Sequence, residues 1–284
     1  MKIDGKQIAS QIKEELKAKV VALRRKKILP HLAVVLVGND QNSIIYIRRK
    51  QKLGEEIGVK VTVYRIEVSK DGKKEKERLL ALINKLNKDK TVHGIIIQRP
   101  VPLEMDKEEL DEIVIPKKDV DGFHPKSPFT PPVALAVIKL LKWVYATNNN
   151  SSQFLSWLAK QKILIIGRGE TAGKPIAKTF EKMKIPFLVG HSQTNNLKEL
   201  CLKSTIVISC VGKPNILRHM TINEKSIVIG VGLHLENGKL ATDYNQEEIG
   251  AKAAYWTPIP GGVGPVNVAC LFENLLKSCY KLIS

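Results

Sequence analysis

Residues 163–175 read Ile-Leu-Ile-Ile-Gly-Arg-Gly-Glu-Thr-Ala-Gly-Lys-Pro, an apolar run followed by a glycine-rich turn. Four consecutive branched apolar residues are typical of a buried parallel strand, and the glycines predict a tight turn into a helix over 174–183. Such a turn lets a pyrophosphate approach the N-terminus of the helix. The last glycine stands one position later than in GxGxxG, so a plain strand–turn–helix unit also fits the pattern.

The same alternation of strands and helices extends in both directions from this stretch. Downstream, strands are predicted over 186–189, 205–211 and 226–231, with a helix over 197–202. Upstream, helices are predicted over 5–26, 43–57, 74–87 and 133–145, and strands over 32–37, 59–68 and 93–98. We expect Ser43 to cap the second of these helices and Gly58 to end it. Alternation of this kind predicts an α/β fold.

Two α/β domains are expected, with a ligand cleft between them and a Rossmann-like second domain. The first would cover residues 1–140, and a C-terminal helix over 267–284 would pack back on it. The second would cover 141–266, and residues 148–152 read as a polar linker or loop tip.

Composition excludes several classes of protein. The 284 residues are 43% hydrophobic and 26% charged, as in a soluble globular protein, and no apolar run reaches the roughly 18 residues of a membrane span. The N-terminus lacks the apolar core of a signal peptide, and the four cysteines show no CxxC or histidine spacing. We therefore expect a cytoplasmic protein with reduced thiols, no metal site and no membrane contact.

The net charge of +18 indicates an affinity for anions and keeps a nucleic-acid-binding protein as a rival interpretation. The lysines, however, are scattered among acidic residues, without an aromatic-and-basic stripe. A solvated lysine-rich surface is the favoured interpretation, and no nucleic acid is expected as a partner.

The second strand after the glycine turn points to the type of dinucleotide. NAD sites usually carry an acidic residue about 20 positions after the turn, bonded to the ribose hydroxyls. Here the strand ends in Val189-Gly190-His191-Ser192, without an acid. Arg168, His191 and Ser192 could instead face a 2′-phosphate, which favours NADP over NAD.

Candidate chemical groups lie in the first half of the chain. Tyr46 and Lys50 are four residues apart and share a helix face, which could also be an ordinary solvated face. Gln98 ends a neighbouring strand and could bond the lysine, and a partly desolvated lysine can act as a base. Asp121 adds a carboxylate near the domain junction, although Asp-Gly pairs also favour simple turns.

The segment Thr257-Pro-Ile-Pro-Gly-Gly-Val-Gly-Pro-Val-Asn267 combines three prolines, which stiffen the backbone, with three glycines, which leave it open to close approach. It leads into an apolar helical pattern that starts with Val268. A stiff wall for a flat ligand and a turn at a domain boundary both fit this composition.

These pieces together resemble one family, the bifunctional methylenetetrahydrofolate dehydrogenase/cyclohydrolase or FolD family. The resemblance covers nearly the whole chain and is carried by the following segments: the Tyr46–Lys50 helix, Gln98-Arg-Pro-Val-Pro102, Lys118-Asp-Val-Asp-Gly122, Gly167–Pro175, His191-Ser-Gln-Thr194 and the opening residues. It implies oxidation of 5,10-methylenetetrahydrofolate by NADP+, then hydrolysis to 10-formyltetrahydrofolate, by a homodimer.

The resemblance also implies residue roles. Lys50 would be the acid/base group of hydrolysis, held by Gln98, while Tyr46 would pack on the folate and Asp121 would bond the N–H edge of the pterin. The remaining folate contacts would be Pro100, Val101, Pro102, Pro260, Gly261, Gly262 and Pro265. The NADP contacts would be Gly167, Arg168, Gly169, Gly173, His191, Ser192, Gly212 and Leu233.

Several positions depart from the family pattern. Gly169 replaces a serine, Gly230 an aspartate and Arg99 an apolar residue, while Thr242-Asp-Tyr244 stands where Gly-Asp-Val is common. Two rivals inside the enzyme class stay open: a member with one of the two activities, and a different NADP-linked dehydrogenase.

Overall fold

A computed structural model describes residues 1–68, 73–149, 153–236 and 238–282. The chain divides into two compact units, one of Met1–Ser10 with Val133–Asn267 and one of Gln11–Pro132 with Val268–Ser284. Three residues of the proposed polar linker, 150–152, lie outside the described residues. The domain bounds of 1–140 and 141–266 stay a prediction. No helix in the described ranges is both long and apolar enough to cross a membrane.

The unit of Gln11–Pro132 and Val268–Ser284 contains a three-stranded parallel sheet. Its strands are β1 (His31–Val37), β2 (Lys60–Ile66) and β3 (Gly94–Gln98), in the order β2-β1-β3. All seven residues of β1 are buried, because the strand lies in the centre of the sheet with both faces covered. The continuous apolar run at 32–37 thus predicted its strand correctly.

Three helices, α2 (Gln41–Ile57), α3 (Lys73–Lys88) and α4 (Lys107–Glu112), lie in this unit, and α1 (Gly5–Arg25) belongs to it from Gln11 onward. Leu79, Ile83 and Leu86 of α3 pack with Val35 of β1 and Ile95 of β3 into one core cluster. The spacing of these α3 residues places them on one face of the helix, which explains why the helix packs on the sheet.

Helix α2 corrects one prediction about its start. Asp40, not Ser43, is the N-cap residue, and its side chain accepts a hydrogen bond from the backbone N–H of Ser43 at 2.7 Å. Aspartate caps at least as well as serine, and its carboxylate also favours the positive end of the helix dipole. The end of α2 at Gly58 was predicted correctly.

The unit of Met1–Ser10 and Val133–Asn267 contains a five-stranded parallel sheet in the order β10-β7-β6-β4-β5. Its strands are β4 (Ile163–Ile166), β5 (Leu188–Gly190), β6 (Ile206–Ser209), β7 (Ile227–Gly230) and β10 (Tyr255–Trp256); β8 (Leu233–Glu236) and β9 (Lys239–Thr242) form an antiparallel hairpin. Its helices are α5 (Pro132–Asn148), α6 (Phe154–Ala159), α7 (Gly173–Lys182), α8 (Leu197–Lys203) and α9 (Gln246–Lys252). The predicted class, two α/β folds with parallel sheets, is confirmed.

The last helix, α10 (Val263–Lys281), begins earlier than the sequence pattern predicted. Its first turn takes in Gly264 and Pro265, so the irregular part of the proline- and glycine-rich segment ends at Gly262. Proline is tolerated there because the first four N–H groups of a helix have no partner within it.

Candidate active site

Lys50 is the centre of the site, at the C-terminal edge of the β2-β1-β3 sheet. It lies on α2, which directly follows β1, and only 9% of its surface is exposed. Its Nζ donates a hydrogen bond of 2.7 Å to Oε1 of Gln98, the last residue of β3. Because β1 and β3 are neighbours and parallel, the helix after one and the end of the other meet at the same edge. The predicted pair of Lys50 and Gln98 is therefore formed.

A second hydrogen bond fixes the orientation of the Gln98 amide. Its Nε2 donates to the backbone carbonyl of Arg99 at 3.2 Å, which leaves Oε1 to face Lys50. An oxygen acceptor at this place holds the lysine nitrogen without adding a second charge. Gln98 can therefore orient Lys50 whether the lysine is an amine or an ammonium.

Burial decides the ionisation of Lys50 and Asp121. Loss of solvation lowers the pKa of Lys50, and the charge of Asp121 partly opposes this shift. Loss of solvation likewise raises the pKa of Asp121, against the charges of Lys50 and Arg99. The charges of Asp121 and Lys50 therefore interact, and the pKa of Lys50 is shifted downward, the direction that favours a base at neutral pH.

Tyr46 lies one turn before Lys50 on α2 and is half-buried. The guanidinium of Arg49 lies 5.3 Å from the centre of its ring. Burial raises the pKa of the Tyr46 hydroxyl, so it stays protonated and can donate a hydrogen bond. An aromatic face with a neutral hydroxyl beside Lys50 suits a flat, polar ring as ligand.

The segment around Asp121 is a turn whose conformation is held from several sides. Lys118 Nζ donates to three backbone carbonyls at 2.6 to 2.9 Å, and the Asp119 side chain accepts the N–H groups of Gly122 and His124. Gly122 has φ +75°, and a β-carbon there would lie 2.9 Å from the carbonyl oxygen of Phe129. The turn interpretation of Asp-Gly is thus correct for the backbone, while the Asp121 side chain still reaches Lys50 electrostatically.

The segment 99–102 differs along its length. Pro100 and Pro102 are exposed at the end of β3, whereas Val101 packs against the core of the sheet. The Arg99 carbonyl also accepts a bond of 3.2 Å from Ser43 Oγ. Ser43 thus ties α2 to the end of β3 instead of capping the helix.

The proposed folate contacts of the late segment belong to the other unit. Gly261 and Gly262 are buried, Pro265 is half-buried in α10, and Pro260 is exposed. The side chain of Gln246 bonds both the N–H and the carbonyl of Ile259, at 2.7 and 2.9 Å. These two hydrogen bonds fix the backbone just before Pro260. The role of Pro260, Gly261, Gly262 and Pro265 in binding folate stays a prediction.

The glycine turn after β4 has the shape of a phosphate cradle. Gly167 has φ +101° and its N–H donates to the carbonyl of Gly190 at 2.8 Å. A β-carbon on Gly173 would overlap the carbonyl oxygen of Gly167, whereas one on Gly169 would meet no atom within 4 Å. The backbone is therefore close-packed at the two ends of the turn and open at its middle. This arrangement fits a dinucleotide whose phosphates approach the N-terminus of α7.

The side chains predicted around the 2′-phosphate flank that turn. Arg168 and Ser192 are exposed, and His191 is half-buried at the end of β5. Strand β5 pairs with β4, so these residues come to the same edge of the sheet. The predicted contacts through them stay a prediction.

Asp243 organises a second loop of this unit, which sequence reasoning did not identify. Its buried carboxylate accepts hydrogen bonds from the backbone N–H groups of Val211, Gly212 and Lys213 and from Ser209 Oγ, at 2.5 to 3.1 Å. Gly212 also lies close to Leu233, because a β-carbon there would be 3.0 Å from the Leu233 carbonyl oxygen. Gly212 and Leu233 were predicted as NADP contacts, and Thr242-Asp-Tyr244 was noted as a departure from the family pattern, but the hydrogen bonds of Asp243 were not predicted.

Two departures from the family pattern, the glycine at 230 and the tyrosine at 244, compensate for each other in volume. A β-carbon on Gly230 would lie 2.5 Å from Thr242 Oγ1 and 2.8 Å from the ring and hydroxyl of Tyr244. The Tyr244 hydroxyl donates to the carbonyl of Thr257 at 2.6 Å. Glycine at 230 therefore makes the space that the larger residue at 244 fills.

Comparison with known proteins assigns both parts of the chain to domains of one enzyme family. Residues 3–121 match the family model described as the tetrahydrofolate dehydrogenase/cyclohydrolase catalytic domain, and residues 133–282 match that of its NAD(P)-binding domain. A bifunctional protein FolD of Campylobacter jejuni strain RM1221 is 39% identical, with 97% of each chain covered.

Solved structures agree with the family models. The crystal structure of the bifunctional enzyme FolD from Campylobacter jejuni has a TM-score of 0.86 and 37% identity, covering 99% of each chain. The Trypanosoma brucei enzyme, solved with NADP cofactor and an inhibitor, has a TM-score of 0.86 and 27% identity, covering 100% of this chain and 98% of its own. The chain therefore belongs to the tetrahydrofolate dehydrogenase/cyclohydrolase family.

Proposed function

We propose that this protein is a bifunctional enzyme that oxidises 5,10-methylenetetrahydrofolate with NADP+ and hydrolyses the resulting methenyl cation to 10-formyltetrahydrofolate. The observation that carries the proposal is the buried Lys50, held at 2.7 Å by Gln98 beside the charge of Asp121. This arrangement lies inside the residues that match the family's catalytic domain.

Lys50 would carry out the proton transfers of hydrolysis. In its neutral form it takes a proton from water as the oxygen bonds to the methenyl carbon. It then returns that proton to N5 of the folate as the bond between the carbon and N5 breaks, while the added hydroxyl loses its remaining proton to solvent and becomes the carbonyl oxygen of the formyl group on N10. Burial favours the neutral form that the first transfer needs, and Gln98 keeps the nitrogen in place for both transfers.

Tyr46 and Asp121 would bind the folate while Lys50 carries out these proton transfers. The aromatic face of Tyr46 packs on the flat ring system, and the Asp121 carboxylate accepts hydrogen bonds from the N–H edge of the pterin. An ionised Asp121 satisfies this role, since only the carboxylate accepts at both oxygens. Pro100, Val101, Pro102, Pro260, Gly261, Gly262 and Pro265 complete the proposed set of folate contacts.

NADP would be held by the turn after β4 and the residues beside it. The open middle of the Gly167–Gly173 turn admits the pyrophosphate, and Arg168, His191 and Ser192 supply donors for a 2′-phosphate. Gly212 and Leu233 would contact the cofactor further along the sheet edge. When bound, NADP+ supplies the acceptor for the hydride that leaves the one-carbon bridge of the folate.

We also propose that the enzyme is a cytoplasmic homodimer. The dimer rests on the resemblance to the family. The location is supported by Cys201, Cys210 and Cys279, which are buried and form no disulfide.

A spectrophotometric assay of the purified protein tests the proposal. With 5,10-methylenetetrahydrofolate and NADP+, we expect NADPH to form, and with added methenyltetrahydrofolate we expect its absorbance to decay faster than in buffer. One activity without the other would indicate a member with a single function. Loss of both would refute the proposal, and equal rates with NAD+ and NADP+ would refute the cofactor preference.

A further inference from the structure

Arg99 places a guanidinium group almost completely out of solvent beside the proposed active site. It follows Gln98 at the end of β3, and its side chain is 8% exposed. A charge that is buried to this degree needs a partner of opposite charge. The structure supplies one in Asp111 of α4, whose side chain is 12% exposed and binds the Arg99 guanidinium.

The anchor of Arg99 is itself part of a small network. The other carboxylate oxygen of Asp111 accepts a bond of 2.5 Å from Lys107, one turn earlier on α4. Asp111 therefore lies between two cations, with Arg99 on one carboxylate oxygen and Lys107 on the other. This fixes the end of the Arg99 side chain relative to α4.

The face of the guanidinium packs on the segment that carries Asp121. The guanidinium carbon of Arg99 lies 4.0 Å from the centre of the Phe123 ring, a stacking distance that arginine uses well because its head group is planar. Phe123 stands two residues after Asp121, across the turn at Gly122. The positive charge of Arg99 also acts on Asp121 itself.

We propose that Arg99 is a positioning residue for Asp121, which holds the Asp121–Phe123 turn against the end of β3 and sets a fixed positive charge beside the carboxylate. The inference rests on the proposed function, in which Asp121 binds the N–H edge of the folate. Two adjacent residues at the end of β3 would then each orient one functional group: Gln98 orients Lys50, and Arg99 orients Asp121.

This role has a consequence for the pH dependence of binding. Two charged groups act on Asp121, Lys50 from α2 and Arg99 from the end of β3, and Asp121 in turn acts on Asp119 of the same turn. Burial raises the pKa of Asp121, and Arg99 and Lys50 both counter this. Without the charge of Arg99 the carboxylate takes up a proton at higher pH, so folate affinity should decline earlier as the pH falls.

The test is calorimetric titration of the purified protein with tetrahydrofolate over a series of pH values. The acid limb is the part of the affinity–pH curve in which tetrahydrofolate affinity declines as the pH falls. For R99Q, which keeps a planar polar group but loses the charge, we expect this limb to lie about one pH unit higher than in the wild type. For R99K, which keeps the charge but loses the planar stack, we expect weaker binding with the limb in its wild-type place. A wild-type limb in R99Q would overturn the inference.

Further variants keep the test decisive if R99Q does not fold. D111N and F123L each remove one contact of Arg99 and should weaken tetrahydrofolate binding severalfold. E109Q is the matched control, because Glu109 lies on α4 but pairs with Lys76 at 2.8 Å. Wild-type affinity in both D111N and F123L, or an equal loss in E109Q, would also overturn the inference. Failure of the wild type to bind tetrahydrofolate would instead refute the proposed function, and the inference with it.

Discussion

At the scale of single residues, the site depends on what burial does to one lysine. On an exposed helix face, a lysine is an ordinary solvated side chain. Lys50 is instead buried at the edge of the sheet, and this burial lowers its pKa. Gln98 was predictable as its partner because parallel neighbouring strands end at the same edge. Arg99, Asp119 and Asp243 were not predicted as parts of a site, since their contacts join segments that no local pattern connects.

Replacement of Gln98 by Glu should change the pH dependence of hydrolysis. A carboxylate at 2.7 Å from Lys50 would favour the ammonium form and raise its pKa, so less neutral amine would be present at pH 7. We expect Q98E to hydrolyse methenyltetrahydrofolate at least about tenfold more slowly at neutral pH and to recover part of the rate as the pH rises. A pH–rate profile like that of the wild type would contradict the role of Gln98.

At the scale of the secondary-structure elements, uniform patterns predicted well and irregular ones did not. The buried strands β1, β3, β4, β6 and β7 are short runs of branched apolar residues, and each was found. The hairpin of β8 and β9 is half exposed and four residues long on each side, which gives no clear alternation. The start of α10 was missed because Gly264 and Pro265 conceal a helix in its first turn.

The turn between β4 and α7 offers a direct comparison of two glycines. A β-carbon at 173 would overlap the Gly167 carbonyl, so G173A should cost about 1–3 kcal/mol of stability and weaken NADP+ binding. G169A should leave the thermal midpoint within error, since nothing lies within 4 Å of its β-carbon. Calorimetric melting of both variants decides the matter, and equal midpoints would show that the turn is not close-packed.

At the scale of the whole molecule, the chain divides into two compact units, and each contains one parallel sheet. The alternation of strands and helices predicted both sheets, and this is the part of the fold that sequence reasoning recovered. The position of the first residues of the chain could not be predicted from the sequence. Ile3 and Met1 exchange backbone hydrogen bonds with Trp256, near the other end of the sequence, and no local pattern indicates such a contact.

Three buried titratable groups should set the acid stability of the sheet that contains β1 and β3. Burial lowers the pKa of His31 and His93 below 6.5, so the folded state binds fewer protons than the unfolded state and stability falls as the pH drops below about 6.5. Burial raises the pKa of Asp119 to about 6, which works in the opposite direction between pH 3.8 and 6.

Thermal melting between pH 7.5 and 5 tests this balance. Asp119 takes up a proton over part of the same range, so the difference between the two proteins carries the test: as the pH drops below about 6.5, we expect the midpoint of H93Q to fall less than that of the wild type, which keeps both histidines. H219Q is the control, because His219 is exposed and belongs to the other unit. Parallel curves for the wild type and H93Q would show that His93 does not take part.

We propose that Lys50 performs the hydrolytic step of a bifunctional folate enzyme, and a comparison of two lysine variants tests this role. The cyclohydrolase rate and tetrahydrofolate affinity of K50Q are measured beside K52Q, which changes an exposed lysine on the same helix. We predict that K50Q loses at least about 10²-fold in rate while still binding tetrahydrofolate, and that K52Q matches the wild type. Hydrolysis by K50Q at the wild-type rate would contradict the account.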